Sequence, residues 1–165
     1  MSTLEVALRA NGYARPMLLV HNTSGMAQLN STHSLQTIHS GPVAGLEATG
    51  YLAGQFKEPN VIATDMGGTS FDIGLVTADG VKFYDFNPVI DRWLVSTPMT
   101  YLHTLGAGGG SIARYDRLWG AVEVGPDSAG SDPGPACYAR GGKLPTTTDA
   151  NLVLGYLDEE NYAGG

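Results

Sequence analysis

The stretch Val61-Ile62-Ala63-Thr64-Asp65-Met66-Gly67-Gly68-Thr69-Ser70-Phe71-Asp72-Ile73-Gly74-Leu75-Val76 sets an apolar run on each side of a small polar break. Both flanks carry β-branched residues, and Gly67-Gly68-Thr69-Ser70 interrupts them, so the reading is strand, tight turn, strand. Asp79-Gly80 is a second turn signal, after which Val81-Lys82-Phe83-Tyr84-Asp85-Phe86 returns with period-two alternation. Three consecutive antiparallel strands over residues 61–86 are therefore expected, and the helices read on either side of them make a mixed chain of helices and strands.

The first turn also carries chemistry. Glycine has no Cβ, so the amides of Gly67 and Gly68 can approach a polyphosphate, and successive turn amides form an anion-binding concavity. Thr69 and Ser70 add hydroxyl donors to the same oxygens. Asp65 and Asp72 would repel a bare phosphate, so a divalent cation between them is expected. Mg²⁺ suits such a site because it takes one or two carboxylates, waters and the phosphates themselves. One of the two carboxylates could instead orient an attacking water or substrate hydroxyl. The plainer alternative is a hairpin whose Gly-Gly serves only the turn.

Working toward the N-terminus, residues 3–11 read as a short helix with Leu4, Ala7 and Leu8 on one face and Asn11-Gly12 as its stop. Met17-Leu18-Leu19-Val20 reads as a buried strand ending in a turn over 21–25, and residues 31–37 as a helical turn or two. Ser40-Gly41-Pro42 opens a helix running to Gln55. Gly45, Gly50 and Gly54 each cost that helix about 1 kcal/mol relative to Ala, so close packing against a sheet or another helix is expected. Toward the C-terminus, residues 93–99 read as a further strand, 111–115 and 121–124 as two more, and 125–142 as a long Gly/Pro-rich loop. A helix capped by Thr148 or Asp149 then runs to about residue 157. No internal repeat or dividing linker is evident, so one domain is expected.

Gly106-Ala107-Gly108-Gly109-Gly110-Ser111 is the second candidate feature. So many glycines cost backbone entropy, and a ligand or neighbouring chain is expected to approach Gly106, Gly108, Gly109 and Gly110. The run is no dinucleotide fingerprint, since its last glycine is missing and a strand follows. No Gly-Lys-Ser/Thr exists for a Walker A loop. A nucleophile elbow fails too, because no histidine follows His103. The four histidines lack metal spacing, and only His103 stays open as a site residue. Cys137 reads as a buried structural thiol. Asp149 and Asn151 read as helix-capping residues before substrate contacts.

The whole composition narrows the classes. The chain has 165 residues, a net charge of −7, 15% charged residues and 23 glycines. No basic cluster is present to neutralise phosphates of a nucleic acid or an anionic membrane. No apolar run reaches the eighteen or so residues of a membrane span. The segment after Met1 lacks a signal peptide's basic and apolar regions, and a lone cysteine forms no internal disulfide. A soluble, reducing, cytoplasmic setting is the expectation.

Five motifs, taken together and in order, carry a resemblance. They are Ser40-Gly41-Pro42-Val43-Ala44-Gly45, the 65–72 turn, Gly106 to Ala113, Gly125 to Tyr138, and Thr148-Asp149-Ala150-Asn151-Leu152-Val153-Leu154-Gly155. The chain resembles the hydantoinase A/oxoprolinase family, which includes N-methylhydantoinases, 5-oxoprolinases and the ATP-using subunits of acetone and acetophenone carboxylases. The resemblance implies an actin-like (ribonuclease H-like) ATPase lobe, with a three-stranded phosphate hairpin region and flanking helices. It implies ATP with Mg²⁺ or Mn²⁺, with Asp65 and Asp72 as catalytic and metal residues. Gly67, Gly68, Thr69 and Ser70 would hold phosphates, and Gly106 to Gly110 would lie in or near the nucleotide cleft. The implied chemistry is ATP-driven phosphorylation of a carbonyl or amide oxygen, with the remaining lobes or a hydantoinase B-type subunit as partners. The family's first phosphate hairpin has no counterpart here, so the chain is expected to be a central segment with half an ATP site and little turnover alone. A non-catalytic scaffold that binds a partner subunit is the competing expectation. A sugar- or acyl-kinase lobe fits the later motifs less well.

Overall fold

The computed structural model describes residues 3–78 and 84–162. In chain order the elements are α1 (Thr3–Ala10), β1 (Leu18–Val20), β2 (Met26–Gln28), α2 (Ser40–Phe56), β3 (Val61–Met66), β4 (Phe71–Val76), β5 (Tyr84–Asp85), β6 (Val89–Ile90), β7 (Trp93–Leu94), β8 (Met99–Thr100), β9 (His103–Leu105), β10 (Ser111–Asp116), β11 (Ala121–Ser128) and α3 (Thr147–Val153). Short 3₁₀ turns cover Leu29–Ser31, Ser34–Thr37 and Ala136–Tyr138. The architecture is mixed α/β with small sheets: β1-β2, β5-β8, β6-β7, β10-β11 and the three-stranded β3-β4-β9.

The chain divides into two compact units, residues 1–63 with 73–103, and residues 64–72 with 104–165. The first unit is built around α2. Among the described residues its buried core includes Val43, Leu46 and Ala53 of α2 and Met99 of β8. Asn22, almost fully buried, ties three segments together. Its amide nitrogen donates to Gln36 O at 2.7 Å, its Nδ2 donates to Leu35 O at 2.9 Å, and its carbonyl accepts from Thr100 N at 2.7 Å. The backbone groups of this hairpin end are thereby satisfied, while the buried Asn22 Oδ1 has no partner among the described residues.

The close packing expected at the glycines of α2 lies elsewhere. Nothing stands within 4 Å of a Cβ built at Gly45 or Gly54, and Gly50 has only Val76 Cγ1, at 4.0 Å. The tight approach is on the strand side. A Cβ at Gly74 of β4 would stand 2.6 Å from Leu46 Cδ1 and 3.1 Å from Leu102 Cδ2. Gly74 therefore makes room for the Leu46 side chain of α2.

The second unit carries the β10-β11 hairpin, α3 and the loop between them. Its ladder pairs Tyr115 with Val122 and Ala113 with Val124, then Ser111 with Ser128, so the stretch holding Gly125-Pro126 bulges out. The strand consequently extends to Ser128, and the loop expected from residue 125 begins at residue 129. Ile112 is buried and bridges to Thr146.

Two further expectations change. Asp79-Gly80 and residues 81–83 lie outside the described residues. The described part of the expected third strand, Tyr84–Asp85, pairs with Met99–Thr100, while β9 is the third member of the β3-β4 sheet. Asn87 N turns back to Asp85 Oδ1 at 3.0 Å, and Pro88 follows without an N–H, so the ladder does not run past Asp85. The strand expected over 93–99 likewise divides into β7 and β8 across Pro98. Alternation marks a strand but does not name its partner.

Candidate functional site

The turn between β3 and β4 is a two-residue hairpin loop closed by Gly67 N donating to Ser70 O at 2.9 Å. A connection so short permits only antiparallel strands. Carried outward from the closing pair, the register sets Met66 opposite Phe71 and Asp65 opposite Asp72 on one face of the ladder. Like charges directly opposite one another are destabilising, and a cation between them relieves the repulsion.

Gly67, Gly68 and Thr69 are exposed, and Ser70 is half-buried. Neither glycine has a positive φ. A Cβ at Gly68 would meet nothing within 4 Å, and one at Gly67 would make only ordinary contact with Ser70 O at 3.6 Å. Backbone conformation and internal space thus leave Gly68 free to be another residue. Its amide and that of Thr69 donate to no acceptor among the described residues.

The glycine loop lies against this turn. Gly109 N donates to Gly67 O at 2.9 Å and Gly110 N to Gly68 O at 2.7 Å. A Cβ at Gly108 would stand 2.7 Å from Gly68 C and from Thr69 N, and one at Gly110 would stand 2.9 Å from Gly68 O. The chain expected to approach Gly108 to Gly110 is therefore the 67–69 turn of the same unit. Gly108 and Gly110 are buried, whereas Gly106 is exposed and would meet only Pro126 Cβ at 3.6 Å.

A second tier fixes the loop. Ser111 Oγ, fully buried, accepts from Gly108 N at 2.7 Å. Thr148 N and Thr148 Oγ1 both donate to Gly109 O at 2.8 Å, and Ala129 N donates to Gly110 O at 2.8 Å. The start of α3 is thereby joined through Gly109 to Gly67. Sequence reasoning missed Ser111 and Thr148 in this role. Their only signal was that hydroxyl residues flank the glycine run and the last helix.

The two acidic residues differ in their surroundings. Asp72 Oδ1 accepts from Thr104 Oγ1 at 2.5 Å and its Oδ2 from Ser70 Oγ at 3.5 Å. Asp65 is exposed, and its carboxylate has no hydrogen-bond donor among the described residues. No three or more His, Cys, Asp or Glu side chains converge on a metal position among those residues. Two opposed carboxylates beside hydroxyls and free amides do fit Mg²⁺, which completes its shell with water and phosphate oxygens.

The acidic residue of α3 has a different part from the one expected. The helix is capped by Thr146, whose side chain accepts from Asp149 N at 3.3 Å, and Asp149 Oδ2 in turn accepts from Thr146 N at 2.8 Å. Asp149 is thus the third residue of a capping box. Its carboxylate also accepts from Ala136 N at 3.3 Å and Cys137 N at 2.7 Å, which holds the 136–138 turn on α3. Burial alone would raise the carboxyl, but the bonds from Cys137 and Thr146 hold it down at about 2. Cys137, expected to be buried, is exposed. Its 3₁₀ turn sets both its amide and its thiol against the Asp149 carboxylate. Desolvation, then the Asp149 carboxylate, push the thiol up to about 11, so it carries little thiolate at neutral pH. His103 is exposed, and His21 Nε2 shares a hydrogen bond with Thr32 Oγ1 at 3.0 Å.

Comparison with known proteins agrees with the order of motifs. A family profile described as hydantoinase/oxoprolinase matches residues 1–165. The chain is 49% identical over 158 residues to the acetophenone carboxylase gamma subunit of Aromatoleum aromaticum, covering 96% of this chain and 22% of that protein. A nucleotide-free acetone carboxylase structure superposes with a TM-score of 0.80 at 32% identity, covering 96% of this chain and 22% of that one. The ATP-dependent caprolactamase of Pseudomonas jessenii superposes with a TM-score of 0.75 at 39% identity, covering 98% and 23%. The chain thus spans 22–23% of the length of these relatives.

Proposed function

The chain belongs to the hydantoinase/oxoprolinase family, and from that premise we propose that its 67–70 turn binds the phosphates of ATP in an enzyme of the ATP-dependent hydrolase or carboxylase kind. The observation that carries this reading is Gly68. Nothing inside the described protein requires a glycine there, yet the residue is exposed, with its amide and that of Thr69 undirected. A ligand that must come close to backbone supplies the missing reason.

In this reading Gly68 and Thr69 amides and the Thr69 hydroxyl receive phosphate oxygens. Asp65 and Asp72 hold the divalent cation, Mg²⁺ or Mn²⁺, which neutralises phosphate charge when bound. Gly108, Gly109 and Gly110 act one layer below, keeping the turn rigid, so that its dipoles are oriented before phosphate arrives. The wider fold would be an actin-like ATPase lobe. The reaction would transfer the γ-phosphoryl group to a carbonyl or amide oxygen, with ADP leaving, ahead of hydrolysis or carboxylation. The remaining lobes of the enzyme, or a hydantoinase B-type subunit, would complete the site.

Calorimetric titration of the chain with Mg-ATP tests the reading. Binding by the wild type, lost in Gly68→Val and in Asp65→Asn without loss of thermal stability, is the expected result. Equal binding by all three proteins sinks it. A second reading, an interaction module without nucleotide, is favoured by the exposed apolar residues Leu118, Trp119 and Val153, which are 83%, 78% and 87% accessible. It predicts association with the other segments of the enzyme that Asp65→Asn leaves unchanged.

A further inference from the structure

We propose that Thr104 is a positioning residue, whose hydroxyl holds the Asp72 carboxylate in the orientation that receives the divalent cation. The inference rests on the phosphate reading of the 67–70 turn. Thr104 lies in β9, 32 residues from Asp72, and its Oγ1 donates to Asp72 Oδ1 at 2.5 Å. That length marks a charge-assisted O–H···O⁻ bond, about twice as strong as a neutral one.

An aspartate on a strand rotates broadly about its terminal torsion. A single strong donor on one oxygen removes most of that freedom. The Ser70 hydroxyl, at 3.5 Å from Oδ2, stands at the limit of hydrogen bonding and cannot replace it. An ionised carboxylate offers about four lone-pair positions, so accepting two hydroxyls leaves capacity for a cation. Asp65, placed opposite by the hairpin register, has no such anchor. The pair thus consists of one oriented ligand and one adaptable ligand. Fixing a ligand beforehand lowers the cost of binding, because its rotamer is not lost again.

Thr104 is exposed, so valine in its place keeps the shape without opening a core cavity. Calorimetry of the 165-residue chain with Mg-ATP, and with ATP in the presence of a chelator, separates the contributions. Thr104→Val is expected to bind Mg-ATP about tenfold more weakly and cation-free ATP as the wild type does. Thr104→Ser, which keeps the hydroxyl, is expected to restore Mg-ATP affinity to within about twofold of wild type. Gly68→Val is expected to lose both forms of ATP.

If Thr104→Val binds Mg-ATP like wild type while Gly68→Val loses it, the positioning role falls and the phosphate reading stands. If Thr104→Val weakens both ligands together with its melting temperature, Thr104 supports the fold and the inference is overturned. If the wild type binds neither ligand, or Gly68→Val binds as the wild type does, the phosphate reading falls and takes the inference with it.

Discussion

At the scale of the residue, glycines in neighbouring motifs answer to different causes. Gly68 has ordinary backbone and open space, whereas Gly108 would drive a Cβ to 2.7 Å from backbone atoms of the turn it supports. Gly108→Ala is therefore expected to cost about 1–3 kcal/mol, since neither backbone can yield without breaking the Gly109 and Gly110 bonds. Gly68→Ala should leave stability within about 0.5 kcal/mol of wild type in chemical denaturation. Cys137 makes a second residue-scale case. A thiol held near 11 rather than 9.0 carries about a hundredfold less thiolate at neutral pH, and the greater nucleophilicity of the more basic thiolate returns about tenfold. Alkylation by iodoacetamide at pH 7 should run about tenfold slower than for an unperturbed cysteine, and Asp149→Asn should speed it. An unchanged rate in Asp149→Asn would remove the carboxylate as a cause.

At the scale of the element, α2 and α3 show how far local rules reach. The helix of residues 40–56 carries glycines at 45 and 54 that touch nothing, so each Gly→Ala change should stabilise the protein by about 0.5–1 kcal/mol. Gly74→Ala, on the facing strand, should destabilise it, because a Cβ would lie 2.6 Å from Leu46 Cδ1. Melting curves of the three substitutions check the assignment directly. In α3 the capping box sets a pH dependence. Asp149 falls from 3.8 to about 2 in the folded chain, so the unfolded chain binds the proton more readily. The stabilisation is complete above about pH 4 and is lost as the pH falls toward 2. Asp149→Asn should flatten stability over that acid range while lowering it at pH 7. An unaltered acid slope would show that another group carries it.

At the scale of the whole molecule, the described residues bury few apolar side chains and expose many. Tyr51, Phe56, Trp93 and Trp119 are 69%, 73%, 75% and 78% accessible, and they lie on α2, on β7 and at the tip of the β10-β11 hairpin. Surfaces of this kind mark contacts with other protein. The chain alone should bind the dye ANS strongly and show a sedimentation coefficient that rises with concentration. A monomer without dye binding at high concentration would refute that expectation. The low charge noticed in the composition has the same physical meaning, because few charged groups are left to cover those faces. Much of the molecule was legible in its residues. The β3-turn-β4 hairpin, the helix of 40–56 and the strands at 111–115 and 121–124 follow from alternation, turn residues and caps, which are local, whereas the continuation to Ser128 past Gly125-Pro126 does not. The family followed from five motifs in order, because motif spacing is also a property of the chain. Tertiary structure alone decided that β9, not residues 84–86, lies beside β4, since a strand edge accepts any backbone. It alone decided that Gly108 to Gly110 meet Gly67 to Thr69, that Thr104 reaches Asp72, and that Asp149 holds the turn of residues 136–138. These contacts join residues 12 or more positions apart, and a hydroxyl or a missing Cβ declares no partner until the fold brings one within 3 Å.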